Sequence, residues 1–190
     1  MKKIILIIIA VLSATAFTKS YSQNDDAMKA WQEYMTPGDI HKMLASCDGT
    51  WNEEITMWMA PGAEPFKNTS TAVNKMILGG RYQQTIHTGS FNGMPFEGMS
   101  IMGYDNAKKV FMSSWVDNMG TGIMQMQGTW DPATKTITFS GTSVDPATGK
   151  DIPVKQIFTF VDNNTQKMEM YMTENEKEFK TMEMILTRKS

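Results

Sequence analysis

Residues 124–143 read Met-Gln-Met-Gln-Gly-Thr-Trp-Asp-Pro-Ala-Thr-Lys-Thr-Ile-Thr-Phe-Ser-Gly-Thr-Ser, and their reading as strand, turn, strand decides the fold. Strands fall at 121–130 and 135–143, and Asp131-Pro132-Ala133-Thr134 turns the chain between them. Outward from this hairpin the same two-residue period runs from Gly49 to the end, predicting further strands at 50–59, 67–78, 80–88, 95–104, 108–117, 152–161, 166–174 and 178–188. Asp105-Asn106, Asp117-Asn118-Met119-Gly120, Asp145-Pro146-Ala147-Thr148-Gly149 and Asp162-Asn163-Asn164 supply further turns. Connections this short pair consecutive strands antiparallel, because parallel pairing needs crossovers of about a dozen residues. The fold class is therefore all-β: an antiparallel up-and-down β-barrel of about ten strands, since closure removes the edges that invite aggregation.

The N-terminal part has a different organisation. Met1-Lys2-Lys3, the apolar run Ile4 to Leu12 and the small or polar residues up to Ser22 have the architecture of an export signal, cut before Gln23 or after Ala14-Thr15-Ala16. The run is too short to span a bilayer, which takes about 20 apolar residues. Residues 23–48 form a helical segment: Met28, Trp31 and Met35 recur at helical spacing behind Asp25 and Asp26, Thr36-Pro37-Gly38 interrupts, and a second helix carries Ile40, Met43 and Leu44. Helices this short need a larger body to pack on. The organisation is thus signal 1–22, helical segment 23–48 and barrel 49–190, with a periplasmic or secreted destination in a Gram-negative-type bacterium.

Charge and residue counts exclude several classes. Without Lys2, Lys3 and Lys19 the chain keeps 15 basic residues against 20 acidic ones, the wrong sign for nucleic acid. The single cysteine, Cys47, forbids an internal disulfide or a Cys-x-x-Cys site and reads as a small buried residue. The two histidines, His41 and His87, are too few for a three-histidine zinc site. Asp162-Asn163-Asn164 lacks the central Gly and terminal Glu of a calcium loop, and one histidine on a strand is a poor basis for a haem. No phosphate-binding or dinucleotide fingerprint occurs, and neither cofactor nor metal is expected.

Gly49-Thr50-Trp51 opens the first strand, and Arg188, the second of two arginines, ends the last one on the face of Met182, Met184 and Leu186. A closed barrel makes these strands neighbours and lets the guanidinium cover the indole, a structural role for Gly49, Trp51 and Arg188. Gly-x-Trp with a terminal Arg resembles the calycins, the superfamily of lipocalin and fatty-acid-binding barrels. Leu78-Gly79-Gly80-Arg81-Tyr82, Pro95-Phe96-Glu97-Gly98, Gly103-Tyr104-Asp105, Trp115-Val116-Asp117 and Glu178-Phe179-Lys180-Thr181-Met182-Glu183 resemble, in that order, the bacterial family called domain of unknown function 1579, over about residues 38–189. That resemblance implies a calycin-like barrel, whose usual occupation is holding a small apolar ligand.

Methionine is the compositional oddity, with 19 in the chain. The sets Met57/Met59, Met124/Met126, Met168/Met170/Met172 and Met182/Met184 are spaced by two and so share strand faces, while leucine beyond the signal is confined to Leu44, Leu78 and Leu186. Flexible thioethers suit a core or an adaptable cavity lining, which makes Met124, Met126 and Met170 candidate ligand contacts. Arg81 precedes Gln83, Thr85 and His87 at the same parity, so that Arg81 could fix a ligand carboxylate beside Gln83 and His87, with Tyr104 as a further candidate. A non-enzymatic periplasmic protein that binds a small, mostly apolar molecule is the leading reading. The competing ones are an isomerase or hydrolase using Tyr104, Asp117 or His87 in the same pocket, and a copper-handling or oxidant-scavenging methionine reservoir.

Overall fold

The computed structural model describes residues 25–174 and 176–189; the segment 1–22, predicted to be an export signal, lies outside them. Two units are distinguished, one up to Thr36 and one from Pro37 onward. The first contributes a helix, α1, over residues 25–35, on which Trp31 meets Tyr34 edge to face at 5.8 Å. The second contains the helix α2 (Asp39–Ala45) and ten strands: β1 (Gly49–Met57), β2 (Phe66–Ile77), β3 (Tyr82–Phe91), β4 (Met94–Asp105), β5 (Val110–Asp117), β6 (Met124–Asp131), β7 (Thr136–Val144), β8 (Asp151–Phe160), β9 (Thr165–Glu174) and β10 (Lys177–Arg188). All pairings are antiparallel between sequence neighbours, and β1 pairs with β10 to close the barrel. No described helix is long and apolar enough to cross a membrane.

The turns form for the reason their composition suggests. Asp105, Asp117, Asp131, Asp145 and Asp162 each accept a backbone N–H two residues on, which replaces the hydrogen bond the strand gives up as the chain reverses. Strand ends shift from the predicted ones mainly at β3, which runs to Phe91 and meets β4 across Asn92-Gly93, both at positive φ (51° and 81°), the two-residue hairpin geometry whose twist matches its strands. Met59 lies beyond the end of β1 and is exposed, so it does not share the inward face with Met57.

One end of the barrel is sealed. α2 packs on β2, β3 and β4. The Gln83 side chain donates to the Leu44 carbonyl (2.7 Å), and the Asn74 amide and Trp51 indole N–H both donate to the Cys47 carbonyl (3.2 and 2.9 Å). His41 caps α2 by accepting the Gly38 N–H at Nδ1 (3.0 Å), and its ring stands edge-on to Tyr104. Burial, followed by the charge of Arg81, holds the His41 imidazole below its ordinary range, which suits a ring nitrogen that accepts. Beneath α2 the fully buried layer contains Trp51, Ala72, Phe111, Ile137, Phe139 and Leu186, joined by Cys47. Burial also pushes the Cys47 thiol up, away from a reactive thiolate.

Closure is pinned at the same end. Trp51 and Arg188 are cross-strand partners, and the guanidinium carbon lies 4.4 Å from the indole centroid. Arg188 also donates to the carbonyls of Asp48 (2.7 Å), Ser46 (2.7 Å) and Asn163 (3.1 Å), tying together the start of β1, the end of α2 and the β8–β9 turn. Gly49 makes this seat possible: its φ is +126°, and a Cβ there would stand 3.1 Å from Arg188 Nη1.

Candidate functional site

Away from the sealed end, the inward faces are mostly apolar, with Thr85, Ser100, Ser113 and Gln156 among them, yet incompletely covered. Parity counted from Trp51, Phe111, Met126, Val154, Met168 and Leu186, all buried, turns Met57, Trp115, Met124, Met170, Met172 and Met182 inward, and every one of these is only half-buried. The lumen towards the β1–β2 and β5–β6 connections is therefore lined by thioethers and aromatic rings that retain solvent access. β1, β10 and β9 align Met57, Met182 and Met170 in one cross-strand row, with Met184 beside Met168 in the next.

Within this apolar wall sits a polar cluster. Glu53, two positions along β1 from Trp51, has a side chain of 0% exposure. Its oxygens Oε1 and Oε2 lie 3.0 and 3.2 Å from His87 Nδ1 on β3, and Oε2 also accepts the Ser70 hydroxyl of β2. An isolated buried carboxyl is costly, so these two partners account for its presence here. His87 is 12% exposed and meets Trp115 edge to face at 5.0 Å. Phe96 stacks on Trp115 at 6.4 Å, and the Trp115 indole N–H donates to Asp117 Oδ2 (2.7 Å). Gly98 is what admits the indole: a Cβ there would stand 2.6 and 2.7 Å from its ring carbons. Inward positions of the described strands carry one lysine, Lys177, exposed at the open rim where β10 begins, and one arginine, Arg188 at the sealed end. Between Lys177 at the rim and Arg188 at the sealed end, the lumen carries the acids Glu53 and Asp117, with His87 between the Glu53 carboxyl and the ring wall.

Of the residues singled out in the sequence, the structure brings His87, Met124, Met126 and Met170 to the inward face but separates the others from them. Arg81 lies in the β2–β3 turn, exposed, with Nη1 donating to the carbonyls of Leu78 and Gly79 (3.3 and 3.5 Å). It does not join Gln83 and His87, because Gly79 and Gly80, at φ of 68° and 77°, break the two-residue alternation before β3 begins. Gln83 is buried and occupied with α2. Tyr104 packs between His41 and Phe111 (centroids 6.2 and 5.0 Å away), so Tyr104, Asp117 and His87 do not form one constellation. Met126 is 3% exposed and belongs to the packed layer. Glu53 and Ser70 were missed, although Trp51, Glu53, Ile55 and Met57 at alternate positions place one acid on an apolar face, a signal legible in the sequence. On the outer wall a shallow groove of about 440 Å³, bordered by Gln127, Thr138, Ser140 and Lys155, lies apart from this cluster.

The crystal structure of Rv2717c from M. tuberculosis superposes with a TM-score of 0.61 at 12% sequence identity, covering 82% of this chain and 100% of that one, a likeness of fold. No curated protein matches the chain. The model of the family described as "Protein of unknown function (DUF1579)" matches residues 36–188, which takes in α2 and all ten strands, and the chain belongs to that family.

Proposed function

We propose that the chain is an exported, non-enzymatic, calycin-like protein that holds a small, mostly apolar molecule in the barrel. The observation that carries this reading is the gradient along the lumen: a buried, packed layer under α2, then inward methionines and aromatic rings that keep solvent access. Half-exposed apolar side chains facing each other across a closed barrel form the concave surface a ligand covers with gain, about 0.8 kcal/mol for each methylene buried. Methionine supports adaptability to varied apolar shapes. The basic start and the Ile4 to Leu12 run support export to the periplasm or beyond, and N-terminal sequencing of the mature protein should begin near Gln23.

Titration calorimetry on delipidated protein with a chain-length series of apolar probes tests the pocket. Affinity should rise about fourfold per added carbon until the lumen is full. Absence of binding at every length overturns the reading. A second reading is favoured by the row Met57, Met182 and Met170, since three thioethers on adjacent strands are the ligand set that soft Cu(I) prefers. Anaerobic Cu(I) titration against a chromogenic chelator separates the two: one equivalent bound, abolished in Met182→Leu, favours metal, and retention of the copper by the chelator removes that reading.

A further inference from the structure

We infer that the polar end of the ligand is an uncharged hydroxyl, bound at Nε2 of His87 with the apolar body lying along Trp115, Phe96 and the methionine row. The inference rests on the pocket proposed above and names the chemical class that fills it. Its starting point is the geometry of Glu53. Both carboxyl oxygens are within hydrogen-bond distance of His87 Nδ1, and Ser70 donates to one of them, so the acid is tied to the imidazole and the hydroxyl. With Nδ1 engaged, Nε2 is the remaining polar atom of the ring, and it has no hydrogen-bond partner among the described residues. The side chain is nevertheless 12% exposed on a face that meets Trp115. A buried acid that fixes the ring at Nδ1 leaves Nε2 oriented for something else.

The electrostatics of the lumen then select the head group. A carboxylate entering this site finds no lysine or arginine on the inward strand faces between Lys177, exposed at the open rim where β10 begins, and Arg188, which is committed to Trp51 and three carbonyls at the sealed end. It finds instead a buried acid one imidazole away and Asp117 beyond Trp115. Burying a second negative charge there is unfavourable. A hydroxyl carries no charge and both donates and accepts, so it satisfies Nε2 whichever role that nitrogen takes. The aromatic pair beside it offers flat apolar area and no free donor, because the Trp115 indole N–H is held by Asp117. A fatty alcohol and a phenol share the required chemistry, a hydroxyl on an apolar body, and the length of the body distinguishes them experimentally.

The test uses the delipidated full chain and four probes: 1-octanol, octanoate, methyl octyl ether and 4-butylphenol, titrated calorimetrically at neutral pH. Octanol should bind at least about tenfold more tightly than octanoate and several-fold more tightly than the ether, which accepts but does not donate. The ratio of octanol to butylphenol assigns the aliphatic or the aromatic source. In Glu53→Gln the removal of the charge should narrow the gap between octanol and octanoate. His87→Phe should abolish the preference of octanol over the ether, and circular dichroism checks that both variants fold. Because the comparison within the wild-type protein needs no variant, a misfolded substitution does not decide the matter. Octanoate binding as tightly as octanol, or octanol no better than the ether, overturns the hydroxyl inference while leaving the pocket standing; no binding by any probe overturns the pocket itself.

Discussion

Replacing Arg188 by alanine removes the guanidinium's ties across the closing seam and leaves the β1–β10 backbone ladder in place. The bond to the Asp48 carbonyl (2.7 Å) is partly buried and charge-assisted, worth about 1.5 kcal/mol. The bonds to Ser46 (2.7 Å) and Asn163 (3.1 Å) are exposed, so water replaces much of them and each is worth about 0.5 kcal/mol. The guanidinium over Trp51 at 4.4 Å adds about 1 kcal/mol, the indole being buried and the cation half-exposed. Arg188→Ala should therefore cost about 3–4 kcal/mol, and with a urea slope of about 2 kcal/mol/M the midpoint should fall by about 1.5–2 M. Arg188→Lys keeps a cation but lacks the planar fork that reaches three carbonyls, and should recover at most about 1 kcal/mol. A double-mutant cycle with Trp51→Leu isolates the ring contact, for which a coupling of about 1 kcal/mol is expected. A loss below about 1 kcal/mol for Arg188→Ala, or additivity with Trp51→Leu within about 0.3 kcal/mol, refutes the reasoning.

Gly98→Ala should displace the Trp115 indole, since the new Cβ would stand 2.6 Å from its ring; a cost of about 1–3 kcal/mol and a changed near-ultraviolet dichroism are expected, and an unchanged spectrum counts against the packing described. His41 predicts a pH dependence. Its folded imidazole titrates below the ordinary value of 6.5, so the unfolded chain takes up the proton first, and stability present above pH 6.5 is lost as pH falls towards the folded value. Protection of the α2 amides, taken relative to the intrinsic exchange rate at each pH, should fall from pH 7 to pH 5 in the wild type and much less in His41→Asn, whose side chain still accepts the Gly38 N–H; an equal fall in both would remove His41 as the cause.

The barrel was legible in the sequence because its determinants are local. Alternation from Gly49 onward and an aspartate at turn after turn fix where strands stop, and short connections leave few ways to pair them. The site was legible only in part, for two reasons of geometry. Parity does not survive a turn: Arg81 reads as a neighbour of Gln83 and His87, but the left-handed glycines at 79 and 80 reset the alternation and leave it outside on the turn. Contacts that depend on register across several strands have no local signal either. Glu53 reaches His87 only because β1, β2 and β3 pair with Glu53 opposite Ser70 and Ala72 opposite His87, an offset visible once the ladder is formed. Met59 also falls outside the alternation, by lying past the last residue of its strand.

Nine of the ten strand pairs join neighbours along the chain, and the tenth joins its two ends, with Trp51 opposite Arg188. During synthesis β1 therefore emerges early and waits, with one edge open, until the final strand has left the ribosome. The nine local hairpin pairings form at little entropic cost, whereas the closing contact spans 140 residues from Asp48 to Arg188 and comes last. A chain that stops short of Arg188 cannot hide that edge, and an open β edge is what chaperones, proteases and aggregating partners recognise. A copy that ends before β10 therefore leaves one edge of β1 without its partner strand.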